Sequence, residues 1–322
     1  MSPGCFFFMS KPDFWKNKKR YYDFKSYLRN RFGCNVYKLQ IDAGFTCPNR
    51  DGSLGSGGCI YCDGRGSKLR QSGPLPAVAD QIGMGKALYR KLRGAVKFIA
   101  YFQTFTNTYA PVEKLKVLYD EALSQEDVIG IAVGTRPDCV DGNVVGLLED
   151  YAKKYHVWVE YGLQSMHDAT LRRINRGHDA NAFRRAVLHT AGRGIYICAH
   201  VIAGLPGETR AQMLETARFV ASLPIQGVKI HLLLALDGTV IGDLYKAGQI
   251  RMMEKDEYIT TVCDILEALP PGLVIQRLTA DGYRDIFLAP EWGRKKLDVL
   301  NGIDRELERR DSYQGKKYEA RD

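Results

Sequence analysis

The sequence predicts an α/β fold: a partial, six-stranded (β/α)6 TIM-like barrel with a basic arm before it and a helical extension after it. Three observations carry this. Apolar runs of strand length alternate six times with stretches whose apolar residues recur at helical spacing. Alternation of this kind builds parallel βαβ units with both faces of the sheet covered. Each apolar run also leads into a short polar or glycine-rich segment, and parallel α/β folds build their sites on that rim of strand ends. A doubly wound sheet shares the alternation. Six strands are too few to close an eight-stranded barrel, so the barrel is read as open.

The elements follow in order. Residues 1–35 form the arm. The first strand is 36–42, with Tyr37, Leu39 and Ile41 on one face, and the next five are 96–103, 128–134, 156–163, 195–204 and 228–234. A seventh, weaker run covers 273–278. Helical spacing joins Leu115, Leu118 and Ala122; Val144, Leu147, Leu148 and Tyr151; Met213, Ala217 and Val220; and Tyr258, Val262 and Ile265. The core domain is therefore 36–278, and 279–322 is a charged, largely helical extension.

Composition bounds the function. The chain has 322 residues, 45% hydrophobic and 26% charged, enough for a well-buried core and unlike a disordered or disulfide-dense chain. Its longest apolar runs fall short of the roughly 20 residues that span a bilayer. Residues 5–9 are too short for a secretory core of about 7–15 apolar residues, so a cytoplasmic location is expected. The net charge is +9, and residues 1–40 alone hold nine Lys or Arg against Asp13 and Asp23. Aromatic residues interleave with that charge: Phe14, Trp15, Tyr21, Tyr22, Phe24, Tyr27 and Phe32. Such an arm is either a solvated face with a few aromatics packed behind it or a footprint for nucleic acid, with rings to stack on bases.

Eight cysteines in such a chain argue for free thiols. Cys198 and Cys263 lie in apolar segments as small buried residues. Cys47, Cys59 and Cys62 are different. Eleven residues separate the first two and two the second pair, on a loop rich in glycine. Zinc asks for a fourth ligand, and no histidine precedes His156. Three cysteines suit a 4Fe–4S cluster with one iron left open, because electron-transfer clusters use four. Structural cysteines and zinc remain the alternatives.

Five motifs stand in order at the strand ends: Cys59-Ile60-Tyr61-Cys62; residues 102–106, Phe-Gln-Thr-Phe-Thr; residues 135–138, Thr-Arg-Pro-Asp; residues 160–165, Glu-Tyr-Gly-Leu-Gln-Ser, followed by 174–178, Ile-Asn-Arg-Gly-His; and residues 204–209, Gly-Leu-Pro-Gly-Glu-Thr. Together they resemble the radical SAM core shared by the Elongator catalytic subunit and oxygen-independent coproporphyrinogen oxidase, and in length and detail the YhcC/YtqA-type family. The resemblance covers about 36–278 and implies a radical SAM barrel. It departs in the stretched first cysteine gap, in Gln103-Thr104 where a Gly-Gly-Glu is usual, in Gly134 where a glutamate is common, and in His200 where an aspartate is common.

The resemblance implies that Cys47, Cys59 and Cys62 hold the 4Fe–4S cluster, and that its open iron chelates S-adenosyl-L-methionine (SAM), whose reductive cleavage yields a 5′-deoxyadenosyl radical. It places Tyr61 near the adenine, Gln103 and Thr104 at the methionine end, and Gln164 on the ribose. Arg176 pairs the carboxylate, and His200 reaches toward the ribose. The substrate it suggests is tRNA, modified on the C5 side chain of the wobble uridine. A porphyrinogen-like small molecule is the other enzymatic reading, and a non-catalytic iron–sulfur or zinc protein a third. An electron donor of flavodoxin or ferredoxin type is implied as a partner.

Overall fold

The computed structural model describes residues 19–64, 74–282 and 284–319. Lys11, Lys16 and Lys18 of the arm lie outside the described residues. Seven parallel strands form one curled sheet, in the order β1 (Val36–Ile41), β2 (Lys97–Phe102), β3 (Val128–Thr135), β4 (His156–Gln164), β5 (Tyr196–Ala203), β6 (Gly227–Leu232) and β8 (Val274–Arg277). The weak run at 273–278 thus joins the sheet beside β6, which is one strand wider than the six clear runs. A two-stranded antiparallel pair, β7 (Ala235–Leu236) with β9 (Phe287–Ala289), sits outside it.

Helices cover the outer face: α2 (Val78–Arg93), α3 (Val112–Leu123), α4 (Gly142–Ala152), α6 (Ala180–Thr190), α7 (Arg210–Ala221) and α9 (Lys255–Ala268), with short α5 (Asp168–Arg173) and α8 (Val240–Lys246) between. Their starts follow from local chemistry. The carboxylates of Asp141 and Asp179 accept from Val144 and Ala182 N–H, and Thr209 with Gln212 closes a reciprocal cap on α7. Because alternate strand residues face opposite ways, Phe98, Phe102, Ile131, Val159 and Tyr161 pack outward beneath these helices, fully buried. Each such apolar side chain contributes about 1.5–3 kcal/mol.

The opposite parity faces the barrel interior. At the amino ends of the strands, Ile99, Ala132, Trp158, Cys198 and Val274 form an apolar floor with Leu28 of α1 (Phe24–Phe32). α1 enters through Asp23, which bridges to Ile275 and caps the helix at Ser26. Phe24 and Tyr27 stand edge-on to Trp158, with ring centroids 6.0 and 5.7 Å away. Tyr21 is buried, and Phe32 packs against His156. For the described part of the arm this favours the first of its two readings, a few aromatics packed on the domain behind a solvated face. Its aromatics between Tyr21 and Phe32 seal this end of the barrel, while Lys25, Arg29 and Arg31 remain exposed.

The C-terminal extension supplies α10 (Lys296–Arg309), which packs on α9. Beyond it Gln314 is fully buried. Its amide donates to the carbonyls of Pro270 and Leu273 and accepts from Tyr22 N–H, and its own N–H donates to Arg20.

Candidate cluster and cofactor site at the strand ends

The long segment between β1 and α2 carries the three cysteines and folds back on itself. The Cys47 carbonyl accepts from Arg50 and Asp51, Asn49 accepts from Gly58 N–H, and Cys59 accepts from Cys62 N–H at 2.9 Å. Cys59 is buried, Cys47 and Cys62 are half-buried, and all three are free thiols. Among the described residues no three His, Cys, Asp or Glu side chains converge enough to share one metal ion. A cluster takes each thiolate on a separate iron and does not need such convergence.

The segment after β4 pins this loop in place. Asn49 donates to the Asn175 carbonyl at 2.6 Å and Asn175 donates to the Gly58 carbonyl at 2.7 Å. Ile60 N–H donates to Ile174. Arg176, fully enclosed, donates to the Gly162 carbonyl at 2.7 Å and lies 3.7 Å from the Cys59 sulfur. Gly162 is there because a Cβ would stand 2.5 Å from that guanidinium and 2.7 Å from the Gln164 amide. The Arg176 carbonyl is held in turn by Arg136, whose other nitrogens grip Asp138 at 2.9 and 2.7 Å. The structure therefore brings Cys59, Tyr61, Gln164 and Arg176 to one place.

The donor set fits an iron–sulfur cluster held by thiolates beside cations. Burial works against ionisation of Cys59, but Arg176, a Tyr61 hydrogen bond and Arg136 outweigh it and hold the thiol below its usual range. Tyr61 is pushed well up by its burial and by Cys59 beside it, so it stays a hydroxyl facing that sulfur. The buried Thr104 Oγ1, Asn107 Oδ1 and Arg176 Nε have no hydrogen-bond partner among the described residues, polar capacity suited to a polar ligand. Gln103 and Thr104 follow β2 directly, and Thr106 N–H donates to Thr46, tying that corner to the cysteine loop. Cys139 lines a cleft of about 540 Å³ with Thr108, Tyr109 and Asp138; burial and then Asp138 push its thiol up to about 12.

One group went unnoticed in the sequence. A polar layer fills the barrel two residues above the apolar floor, centred on Glu160 of β4. Its carboxylate is fully enclosed and pairs with Lys38 of β1, Lys229 of β6 and, at 2.8 Å, His200 of β5. Lys38 also donates to Gln276 at 2.7 Å and Lys229 to the Tyr101 hydroxyl at 2.9 Å. Burial opposes the charge on Glu160, yet Lys229, Lys38 and His200 hold it well below the usual carboxylate range. Burial draws Lys229 down to about 8 against the pull of Glu160. Tyr101, Glu160, His200 and Gln276 each follow a floor residue by two, the strand period, and Lys38 and Lys229 follow Val36 and Gly227 in the same way. His200 thus sits in mid-strand with its ring held on Glu160.

Two histidines give the fold a pH response. His200 is lowered to about 4, by burial first and then Lys229; His156 is lowered to about 3, by burial and then Arg31 and Lys38. Both lie below the unfolded value near 6.5, so the unfolded state takes up protons first and stability falls as pH drops from about 6.5 toward 4. The urea midpoint of the cluster-free protein is expected to fall clearly between pH 7 and pH 5. An unchanged midpoint would show that these rings are not held neutral.

Comparison with known proteins agrees with this geometry. Residues 47–220 match the Radical SAM superfamily model and residues 225–309 the Radical_SAM C-terminal domain. YtqA of Bacillus subtilis (strain 168) is 42% identical over 300 residues, 93% of either chain. YhcC of Escherichia coli (strain K12) is 37% identical over 87% of this chain and 90% of its own. A tRNA uridine(34) acetyltransferase of Dehalococcoides mccartyi (strain CBDB1) is 24% identical over 62% of this chain and 41% of its own. The fold is shared with the archaeal Methanocaldococcus infernus Elp3, at a TM-score of 0.62 and 15% identity over 87% of this chain and 64% of that one. With two relatives above 30% identity along nearly its whole length, the chain belongs to the radical SAM superfamily, whose members work with a 4Fe–4S cluster and SAM.

Proposed function

We propose that this chain is a tRNA-modifying radical SAM enzyme, acting on the C5 side chain of the wobble uridine. The observation that carries the enzyme is the buried Cys59 thiol, whose ionisation Arg176 favours at 3.7 Å, on a loop that also presents Cys47 and Cys62. These three are the cluster ligands in this reading. When bound, a 4Fe–4S cluster supplies the electron that cleaves SAM to the 5′-deoxyadenosyl radical. The chain's own residues do the rest. Arg176 neutralises the SAM carboxylate, Gln103 and Thr104 meet the methionine end, and Gln164 and His200 meet the ribose. Tyr61 packs on the adenine, and the buried rim excludes water. A flavodoxin or ferredoxin type donor supplies the electron, in the cytoplasm.

The tRNA reading is supported by the similarity to a tRNA uridine(34) acetyltransferase and by the exposed arm cations. The packing of the arm's aromatics into the barrel floor favours a second reading, a small-molecule substrate. Salt dependence separates them. Reversing Lys16, Lys18, Lys25 and Arg29 to Glu is expected to weaken tRNA binding at least about tenfold and flatten its salt slope, since each lost phosphate contact removes roughly 0.9 from that slope. SAM cleavage should be unaffected. Affinity that ignores both salt and reversal sinks the RNA reading, as would unchanged tRNA nucleosides in a deletion strain examined by mass spectrometry.

A further inference from the structure

Arg50 stands in the cysteine loop, three residues after Cys47, and is claimed by none of the roles above. Its backbone N–H donates to the Cys47 carbonyl at 2.8 Å. Its guanidinium lies flat between two glycines. A Cβ on Gly58 would stand 2.5 Å from Nη1, and a Cβ on Gly64 would stand 2.8 Å from Nη2. Both glycines have positive φ, +72° and +76°, where side chains are strained. Gly58 immediately precedes Cys59, and Gly64 follows Cys62 by two, so the cation is clamped across both ends of the Cys59–Cys62 pair. Its charge acts on the Cys62 sulfur, while Asp63 acts there in the opposite sense. Any side chain at either glycine would displace it. The loop therefore holds a positive charge beside the Cys59–Cys62 turn, where it acts on the Cys62 sulfur.

We infer that Arg50 sets the reduction potential of the cluster held by Cys47, Cys59 and Cys62, by stabilising its more negative, reduced state. The inference rests on the cluster assignment proposed above. Net charge and the groups around the sulfurs are the levers by which a protein tunes such a centre. One-electron reduction adds a negative charge to the site, and a nearby cation favours it. A lysine keeps the charge but loses the flat guanidinium that fits between the glycines, and glutamine keeps polarity without charge.

The test is a potentiometric titration of the anaerobically reconstituted protein, followed by electron paramagnetic resonance of the reduced cluster. Arg50→Gln is expected to lower the reduction equilibrium constant about tenfold, about 59 mV for one electron. Iron content should match the wild type, and Arg50→Lys should fall near the wild-type potential. An Arg50→Gln cluster that titrates with the wild type overturns the inference. If Arg50→Gln takes up no iron, Arg50→Lys decides. Full iron at the wild-type potential supports the role of charge, whereas a shifted potential or lost iron reduces Arg50 to a loop clamp and overturns it. Wild-type protein that binds no cluster would instead overturn the ligand assignment, so the two failures are distinct.

Discussion

Replacing Cys59 with alanine is expected to abolish cluster binding and SAM cleavage together. Wild-type protein reconstituted without oxygen should hold about four irons per chain and release 5′-deoxyadenosine from SAM with dithionite. Cys59 is the one of the three proposed ligands that is buried, and Arg176 and Tyr61 both converge on its sulfur. Without that thiolate two cysteines remain on a loop folded to present three. Iron in Cys59→Ala should fall well below the wild-type content, and 5′-deoxyadenosine should drop to background. Cys139→Ala is the control, because that thiol is held protonated by burial and Asp138. It should retain its iron. Wild-type protein carrying one tight zinc and no iron, or Cys59→Ala at full iron, would refute the assignment.

The second large effect is on stability. Glu160→Gln leaves Lys38 and Lys229 inside the barrel with no carboxylate between them. Removing one partner of a buried ion pair typically costs about 3–5 kcal/mol, because the remaining charge stays out of water. Here two lysines share the one anion. The urea unfolding free energy should fall by an amount of that order, and Glu160→Gln with Lys229→Met should recover part of it by removing one stranded cation. A single variant within about 1 kcal/mol of the wild type, inside the range of exposed ion pairs, would show that water already reaches the layer.

The sequence made the framework plain and the interior obscure, for separable reasons. Apolar strand runs are set by burial on both faces, so all six clear strands were legible. β8 was weak because only Val274 and Ile275 of its four residues are buried. The cysteine loop was legible because thiols at that spacing have few other uses. The grip of Asn49, Asn175 and Arg176 was less so, since it joins segments more than a hundred residues apart. The Glu160 layer was hidden for another reason. Each member is one residue of a largely apolar strand that carries other polar residues too, and only the closure of the sheet shows that six of them meet. The arm stayed open between two readings because composition reports aromatics and charge without saying which end of the barrel they reach.

The buried amide of Gln314 makes the two chain ends a single mechanical unit. It fastens the tail to the stretch before β8 and to Tyr22 at the entry to α1, and α1 is the lid on the floor of the barrel. Cutting the chain just before Gln314 would strand the Tyr22 N–H and two carbonyls and loosen that lid. The tail beyond α10 is thus a latch, closing from the outside the end of the barrel farthest from the cysteines.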